Sequence, residues 1–337
     1  MKRPTLKEVA QLAGVSTATV SNAINDKKYV RSEVKEQVYS AMQALNYQPN
    51  TIAKSLRKQE SRIVGLLISD VANPFFASVA RGIEMELAAN DYNVLLCNTD
   101  SSVEKEREYL EGLIGKRIDG LIVSSAGNTG DYFRSMEETG VPIVFLNRCP
   151  QFMNCDVILT NNTRGAYDAT EHLIRHGYNR IAIITGPTSL STGKDRLTGY
   201  RRALEDYGIS EQDALVKEGR FDIESGYEKM KELLEQEYKP DAVFVSNNSM
   251  TLGGYKYLKE KEISIPDQLA VIVFDDPDWA ELVDPPVTSV RQPTYELGVQ
   301  AAKLMMASIK DRKTKHDIMY MDPALIVRQS CGCPADH

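Results

Sequence analysis

The chain has 337 residues, 42% of them apolar and 26% charged, enough length for two or three domains built around large cores. Its net charge of −7 hides an asymmetry: residues 1–60 hold ten Lys/Arg against five Asp/Glu, so a basic head sits on an acidic body and only the head suits a polyanion. No apolar run reaches the ~18–20 residues of a membrane span, and Met1-Lys-Arg-Pro-Thr5 lacks the apolar stretch of a signal peptide, so a cytoplasmic protein without a membrane partner is expected.

The first elements are helical. Thr5-Leu-Lys-Glu8 is a capping box, followed by an apolar face of Leu6, Val9, Ala10 and Ala13. Gly14 marks a tight turn with positive φ. Ser16 can cap a second helix that turns Val20 and Ile24 inward and Thr17, Ala18, Ser21 and Asn22 outward. Residues 32–45 repeat the amphipathic pattern with Val34, Val38, Met42 and Leu45. Two short helices joined by a Gly-containing turn, with a third beneath, make a helix-turn-helix head over residues 1–48. A small bundle that contacts another protein is the alternative. Past Pro49, the segment "NTIAKSLRK" (50–58) is too short to be a stable helix alone. Its Leu56 stands among Lys54, Arg57 and Lys58, an apolar wedge of the kind that enters a minor groove between base steps.

"TLKEVAQLAGVSTATVSNAIN" followed by "LNYQPNTIAKSL" resembles the DNA-binding head and hinge of the lactose-repressor (LacI/GalR) family nearly residue for residue. The resemblance implies that Thr17, Ala18 and Asn22 read base edges in the major groove. Thr19, Ser21 and Asn25, with backbone amides near helix starts, would hold phosphates; Thr5, Leu6, Ser16, Asn50 and Ala53 join the same DNA-binding set. Leu56, in a hinge over residues 49–60, would be the wedge that each subunit of a homodimer supplies at the centre of a near-palindromic operator. Most relatives carry Arg where this chain has Asn22. Arg suits the acceptor pair of guanine, whereas Asn suits the N6/N7 edge of adenine, so an adenine is expected at that half-site position.

From Arg62 onward, short β-branched runs alternate with amphipathic stretches. The runs are "IVGLLIS" (63–69), "YNVLLCNT" (92–99), "DGLIVSS" (119–125), "VPIVFLN" (141–147), "RIAIITG" (180–186), "DAVFVSN" (241–247) and "LAVIVFD" (269–275); helices are predicted over 76–90, 103–116 and 164–177. This spacing predicts an α/β body of two doubly wound parallel-sheet subdomains with a cleft between their strand ends. The body is similar to the periplasmic sugar-binding-protein fold that the repressor family shares. By that resemblance the chain crosses between halves near residues 161, 291 and 322. An N-subdomain would take about 61–160 and 293–321, a C-subdomain about 161–291 and 322–330, together an effector-binding and dimerisation domain, with 331–337 as a tail.

Loops after the runs offer Asn73, Phe75, Phe76, Asn147 and Arg148 from the first half and Arg196, Phe221, Asn247, Asp275 and Gln292 from the second. Each matches a pocket position of the family's ribose-type binding site. Aromatic rings stack on the C–H faces of a sugar, while Arg, Asn, Asp and Gln bond its hydroxyls. Relatives that take neutral pentoses typically carry Asp where this chain has Asn147, and their third-loop Asn-Asp is here Asn247-Asn248. Among these contacts only Asp275 then opposes Arg148 and Arg196, and an anionic ligand would supply the missing charge. A sugar acid such as a hexuronate or 2-keto-3-deoxygluconate is therefore expected as effector, with ribose or another neutral sugar as the alternative and an unassigned carboxylate as its physical basis.

Enzyme readings fail on spacing. In "GPTSLSTGKD" (186–195) six residues separate Gly186 from Gly193 where a phosphate loop has four, and Asp195 follows Lys194. His172 and His176 stand four apart on a predicted helix without the Glu of a zinc protease, and read as helix-surface residues. Five cysteines without a Cys-x-x-Cys pair read as reduced thiols, and Cys331-Gly-Cys333 has no neighbouring His or Cys pair to complete a metal site. No cofactor, metal or catalytic residue is expected. The expected protein is a dimeric transcriptional repressor of sugar or sugar-acid catabolism, nucleoid-associated when bound and released from its operator by an effector. In the family's purine-type branch the effector acts in the opposite sense. A binding protein of the transport type, without regulatory role, is the alternative of another class. The terminal stretch has no leucine heptad for a tetramer.

Overall fold

The computed structural model describes residues 4–25, 28–47, 60–128, 130–150, 155–311 and 316–334, without the side chains of 135 and 137. The chain divides into two compact units, Met1–Ser61 and Arg62–His337. In the first, α1 (Leu6–Leu12), α2 (Thr17–Asn25) and α3 (Ser32–Ala44) enclose Val9, Ala10, Val20, Ala23, Val38 and Ala41. The capping box forms: the Glu8 amide donates to Thr5 Oγ1 at 3.3 Å, and the Thr5 amide donates to the Glu8 carboxylate at 2.6 Å. Gly14 takes φ +65, and Ser16 Oγ accepts the Thr19 amide at 3.1 Å, which starts α2.

In the second unit each of the seven runs becomes a strand: β1 (Ile63–Ile68), β2 (Asn93–Asn98), β3 (Gly120–Val123), β4 (Ile143–Leu146), β6 (Ile181–Thr185), β8 (Ala242–Val245) and β9 (Ala270–Phe274). Five further strands fall outside those runs: β5 (Asp156–Thr160), β7 (Val216–Glu218), β10 (Thr288–Arg291), β11 (Ile318–Met321) and β12 (Ala324–Ile326). Three of these, β7, β11 and β12, lie at sheet edges and are only three or four residues long. One sheet runs β11-β5-β4-β3-β1-β2, all parallel; the other runs β12-β10-β9-β8-β6-β7, parallel except that β12 opposes β10.

Helices cover both faces of each sheet, which is why the central strands are apolar on both sides. On the first sheet, α4 (Pro74–Ala88) and α11 (Thr294–Lys310) pack over Leu66, Ile68 and Val144, and α5 (Val103–Gly115) over Leu67, Val123 and Phe145; α6 (Arg134–Glu138) is short. On the second, α7 (Asn162–Arg175) and α8 (Ser191–Asp206) cover Ile183, Phe244 and Ile272, while α9 (Ile223–Glu235) and α10 (Asn248–Glu260) cover Ile184, Val243 and Val271. The chain passes between sheets three times, after β5, after β10 and between β11 and β12.

The end of the chain is fastened to the second sheet. Arg328, its side chain only 9% exposed, donates to Asp276 (2.8 Å), Glu281 (2.8 Å) and the Val287 carbonyl (2.7 Å), while Arg291 and Ser289 also donate to Asp276. Cys331 follows with no exposed surface and belongs to the core under α7 and α8, so the packed chain continues past residue 330. Burial alone would raise the Asp276 carboxyl, but the Arg328, Ser289 and Arg291 donors outweigh it and hold it below the ordinary carboxylate value. A depressed folded pKa contributes stability above the unfolded pKa that is lost as pH falls through the folded one. Asp276→Asn is therefore expected to cost roughly 3 kcal/mol or more at neutral pH. The gap to wild type closes as pH falls below the ordinary carboxylate range; urea denaturation across pH checks both.

Candidate functional site: a basic helical head and a cleft between two sheets

In the head, α2 turns Val20 and Ala23 into the core. Ser16, Thr17 and Ala18 are exposed, and Thr19, Ser21, Asn22 and Asn25 are half-buried. Thr17, Ala18, Ser21 and Asn22 share the face away from the core, because residues four apart overlie each other on a helix. Asn25 donates from Nδ2 to the Ser21 carbonyl at 2.8 Å. Thr5 is exposed at the α1 cap, and Leu6 is half-buried against the core. Asn50, Ala53 and Leu56 lie outside the described residues.

The body holds a cavity of about 480 Å³ lined by all ten of the residues named for it, Asn73, Phe75, Phe76, Asn147, Arg148, Arg196, Phe221, Asn247, Asp275 and Gln292. They converge because parallel strands end on the same side of a sheet and both sheets turn those ends to the cleft. Helix starts contribute. Asn73 caps α4 by accepting the Phe75 amide at 3.0 Å, Asn247 caps α10 by accepting that of Met250 at 2.9 Å, and Asp222 caps α9. Three helix N-termini thus open on the cavity, a field that favours negative charge. Asn147, Phe221 and Asp275 take φ of 60, 64 and 76. Such backbone persists only where surroundings over-determine it, as at ligand sites.

Two buried arginines dominate the floor. Arg196 donates through Nε to Asn162 at 2.8 Å and through Nη1 to the Ser246 carbonyl, and its guanidinium lies 3.7 Å from the Phe274 ring centroid. Arg148 sits 5.1 Å from the Phe221 centroid, and its buried Nε and Nη1 have no hydrogen-bond partner among the described residues. Burial and the neighbouring Arg196 charge pull the Arg148 pKa down to about 10, with Glu106 opposing. Burial also lowers Arg196 to about 10, against Asp275 and Asp195. Both are cations at neutral pH. Asp275 is already engaged, accepting from the Asn248 amide at 3.0 Å and Gln292 Nε2 at 2.6 Å.

The lining departs from a net-positive pocket, because the loops also bring in Asp70, Asp100, Asp222 and Glu224 against Arg220. Two of these carboxylates are occupied, Asp100 by Lys105 and Asp222 by Arg220 and the Ser225 amide. Behind the floor, Glu106 has no exposed surface and accepts from Ser125, Tyr132 and the Ala126 amide; burial raises its pKa. Its position in the charge-rich "VEKEREY" helix gave no sign of burial. Ser69 and Thr192, whose buried hydroxyls also have no partner among the described residues, line the cavity. The stretch 186–195 is not a phosphate loop but close packing: a Cβ at Gly186 would stand 2.0 Å from the Phe221 ring, and one at Gly193 2.3 Å from the Pro187 carbonyl oxygen.

His172 and His176 are not simple surface residues, and the Cys331/Cys333 pair does have a histidine pair beside it, because the chain end returns under α7.

Residues 5–50 match the bacterial regulatory proteins of the lacI family, and residues 61–323 match the periplasmic binding proteins and sugar-binding domain of that family. The chain belongs to the LacI family. It is a DNA-binding transcriptional regulator of that family, with the helical head and two parallel-sheet halves of its fold. An HTH-type transcriptional repressor PurR of Pasteurella multocida is 35% identical over 97% of this chain and 98% of its own length. Among solved structures, the CelR–cellobiose complex is 33% identical with TM-score 0.75, covering 97% of this chain and 100% of that one. The Lac repressor dimer bound to operator and the anti-inducer ONPF is 26% identical with TM-score 0.88, covering 98% and 99%.

In this LacI-family body, the two tight glycines differ in what they meet. Gly193→Ala collides with backbone and is expected to cost about 1–3 kcal/mol. Gly186→Ala meets only the movable end of the Phe221 ring and costs less. Urea denaturation of both variants checks this, and equal losses contradict it.

Proposed function

We propose that this protein is a homodimeric repressor that binds near-palindromic operator DNA through Thr17, Ala18 and Asn22, and that a sugar acid filling the body cavity releases it. The observation that carries the effector class is Arg148, a buried cation on the floor of a polar cavity, whose Nε and Nη1 have no partner among the described residues. A carboxylate in the cavity would supply the counter-charge and accept charge-assisted hydrogen bonds from that guanidinium, and the three helix N-termini add to the attraction. Hydroxyls of the same ligand would engage Ser69 and Thr192, and Phe75, Phe76 and Phe221 its C–H faces. A neutral saccharide is the second reading, favoured by the cellobiose bound in the 33% identical CelR structure.

A thermal-shift panel of uronates, keto-deoxy sugar acids, neutral sugars and purine bases, followed by operator-binding titration, tests the reading. Acids alone are expected to raise the melting temperature and weaken operator binding. Arg148→Met is expected to weaken acid binding by about tenfold or more, the worth of a charged hydrogen bond. A shift with neutral sugars alone supports the second reading. A purine base that shifts melting and tightens operator binding contradicts both.

For the head, selection from random DNA is expected to return adenine at the half-site position read by Asn22 and guanine for Asn22→Arg, with about 1–3 kcal/mol of discrimination in each case. The same preferred base for both proteins contradicts that role.

A further inference from the structure

We propose that His172, His176, Cys331 and Cys333 form a structural zinc site that clasps the end of the chain onto α7. The four residues lie outside the cavity lining and come from segments more than 150 positions apart. His172 Nε2 is 3.3 Å from Cys331 Sγ and 3.4 Å from Cys333 Sγ, and His176 Nε2 is 3.0 Å from Cys333 Sγ. One donor atom from each of His172, Cys331 and Cys333 fits within 4.8 Å of the others. Zinc bonds of ~2.3 Å to sulfur and ~2.0 Å to nitrogen in a tetrahedron place neighbouring ligand atoms about 3.5 Å apart. The two His172 spacings are within a few tenths of an ångström of that edge, while His176, outside that group of three and 3.0 Å from Cys333 Sγ, has to shift toward the others to complete the tetrahedron.

The surroundings orient the ligands as a metal requires. His176 Nδ1 is 2.8 Å from the His172 carbonyl oxygen. A carbonyl only accepts, so Nδ1 carries the proton and the Nε2 lone pair faces Cys333, the second-shell arrangement that fixes a ligating imidazole. Thr288 Oγ1 donates to Cys331 Sγ at 3.1 Å, an outer contact of the kind that orients a ligand sulfur. Gly332 takes φ +89, and a Cβ on it would stand 2.7 Å from the Tyr178 hydroxyl. Glycine is thus what lets both thiols turn toward the same two rings. Two thiolates and two imidazoles form a closed set typical of structural zinc, with no position left open for a substrate. Binding releases the two thiol protons, and no redox change is involved.

The test uses full-length, untagged protein under reducing conditions, stripped with chelator, reloaded with zinc alone and desalted. One zinc per chain by elemental mass spectrometry is expected, and cobalt in its place is expected to give the thiolate charge-transfer and tetrahedral absorption of a Cys₂His₂ centre. Cys333→Ser and His176→Ala, each checked for wild-type circular dichroism, are expected to lose at least tenfold in zinc affinity. Their replaced side chains are not fully buried, so at least one of the two variants is expected to fold. Reduced wild type that emerges metal-free overturns the proposal, as does zinc retained equally by both variants.

Discussion

The body depends on how its crossing strands are tied together. The first passage between sheets begins at Thr160, which donates to Gln292 Oε1 at 2.5 Å at the second passage. The next residue, Asn161, donates through Nδ2 to Asp322 at 2.9 Å and through its amide to the Met321 carbonyl at 2.9 Å at the third. All three connections are therefore cross-linked to one another within a few residues. Two sheets that would otherwise be independent domains share a bonded waist. From it the same atoms lead to the cleft: Gln292 donates to Asp275, and Asn162 accepts from Arg196. The cavity floor and the passages are one hydrogen-bonded network, and in a low-dielectric interior such a network rigidifies only when its members are satisfied.

That condition separates the two arginines. Arg196 is buried at a cost offset by an amide oxygen, a backbone carbonyl and the face of Phe274, so it belongs to the network as a structural cation. Arg148 has the Phe221 ring and the more distant field of Glu106, and the uncompensated burial of a guanidinium costs several kcal/mol. A fold does not keep such a group for stability. The acidic rim does not remove the difficulty, because Asp100 and Asp222 already hold Lys105 and Arg220, and no carboxylate among the described residues bonds Arg148 Nε or Nη1.

Much of this was legible in the sequence where the physics is local. Capping, glycine turns and the alternation of β-branched runs with amphipathic helices led to α1–α3 and seven of the strands. The rule that parallel strands end on one side, together with the resemblance to the family's ribose-type pocket, was enough to name the cavity residues. What stayed hidden depends on contacts distant along the chain. β7 and β12 have three residues each, too short a run to mark a strand by its pattern. Glu106 is in a helix whose other carboxylates are mostly exposed, and its burial is decided by Ser125 and Tyr132 on another loop. The histidines and cysteines met because Arg328 anchors the chain end beside Asp276, which no short-range pattern encodes.

The placement of the two cations also bears on regulation. Arg148 follows β4 of the first sheet, and Arg196 lies on α8 over the second. A ligand shifts a conformational equilibrium only by the difference in its affinity for the two states. An acid bound to Arg148 whose hydroxyls reach the Asn247–Asp275 side would make its contacts fully only when the halves are at one separation. It would also relieve the repulsion between the two guanidiniums at that separation. A ligand confined to one half would bind without favouring any arrangement. In the proposed reading, the orphaned cation is therefore both the source of affinity and the reason that affinity is coupled to the position of one sheet against the other.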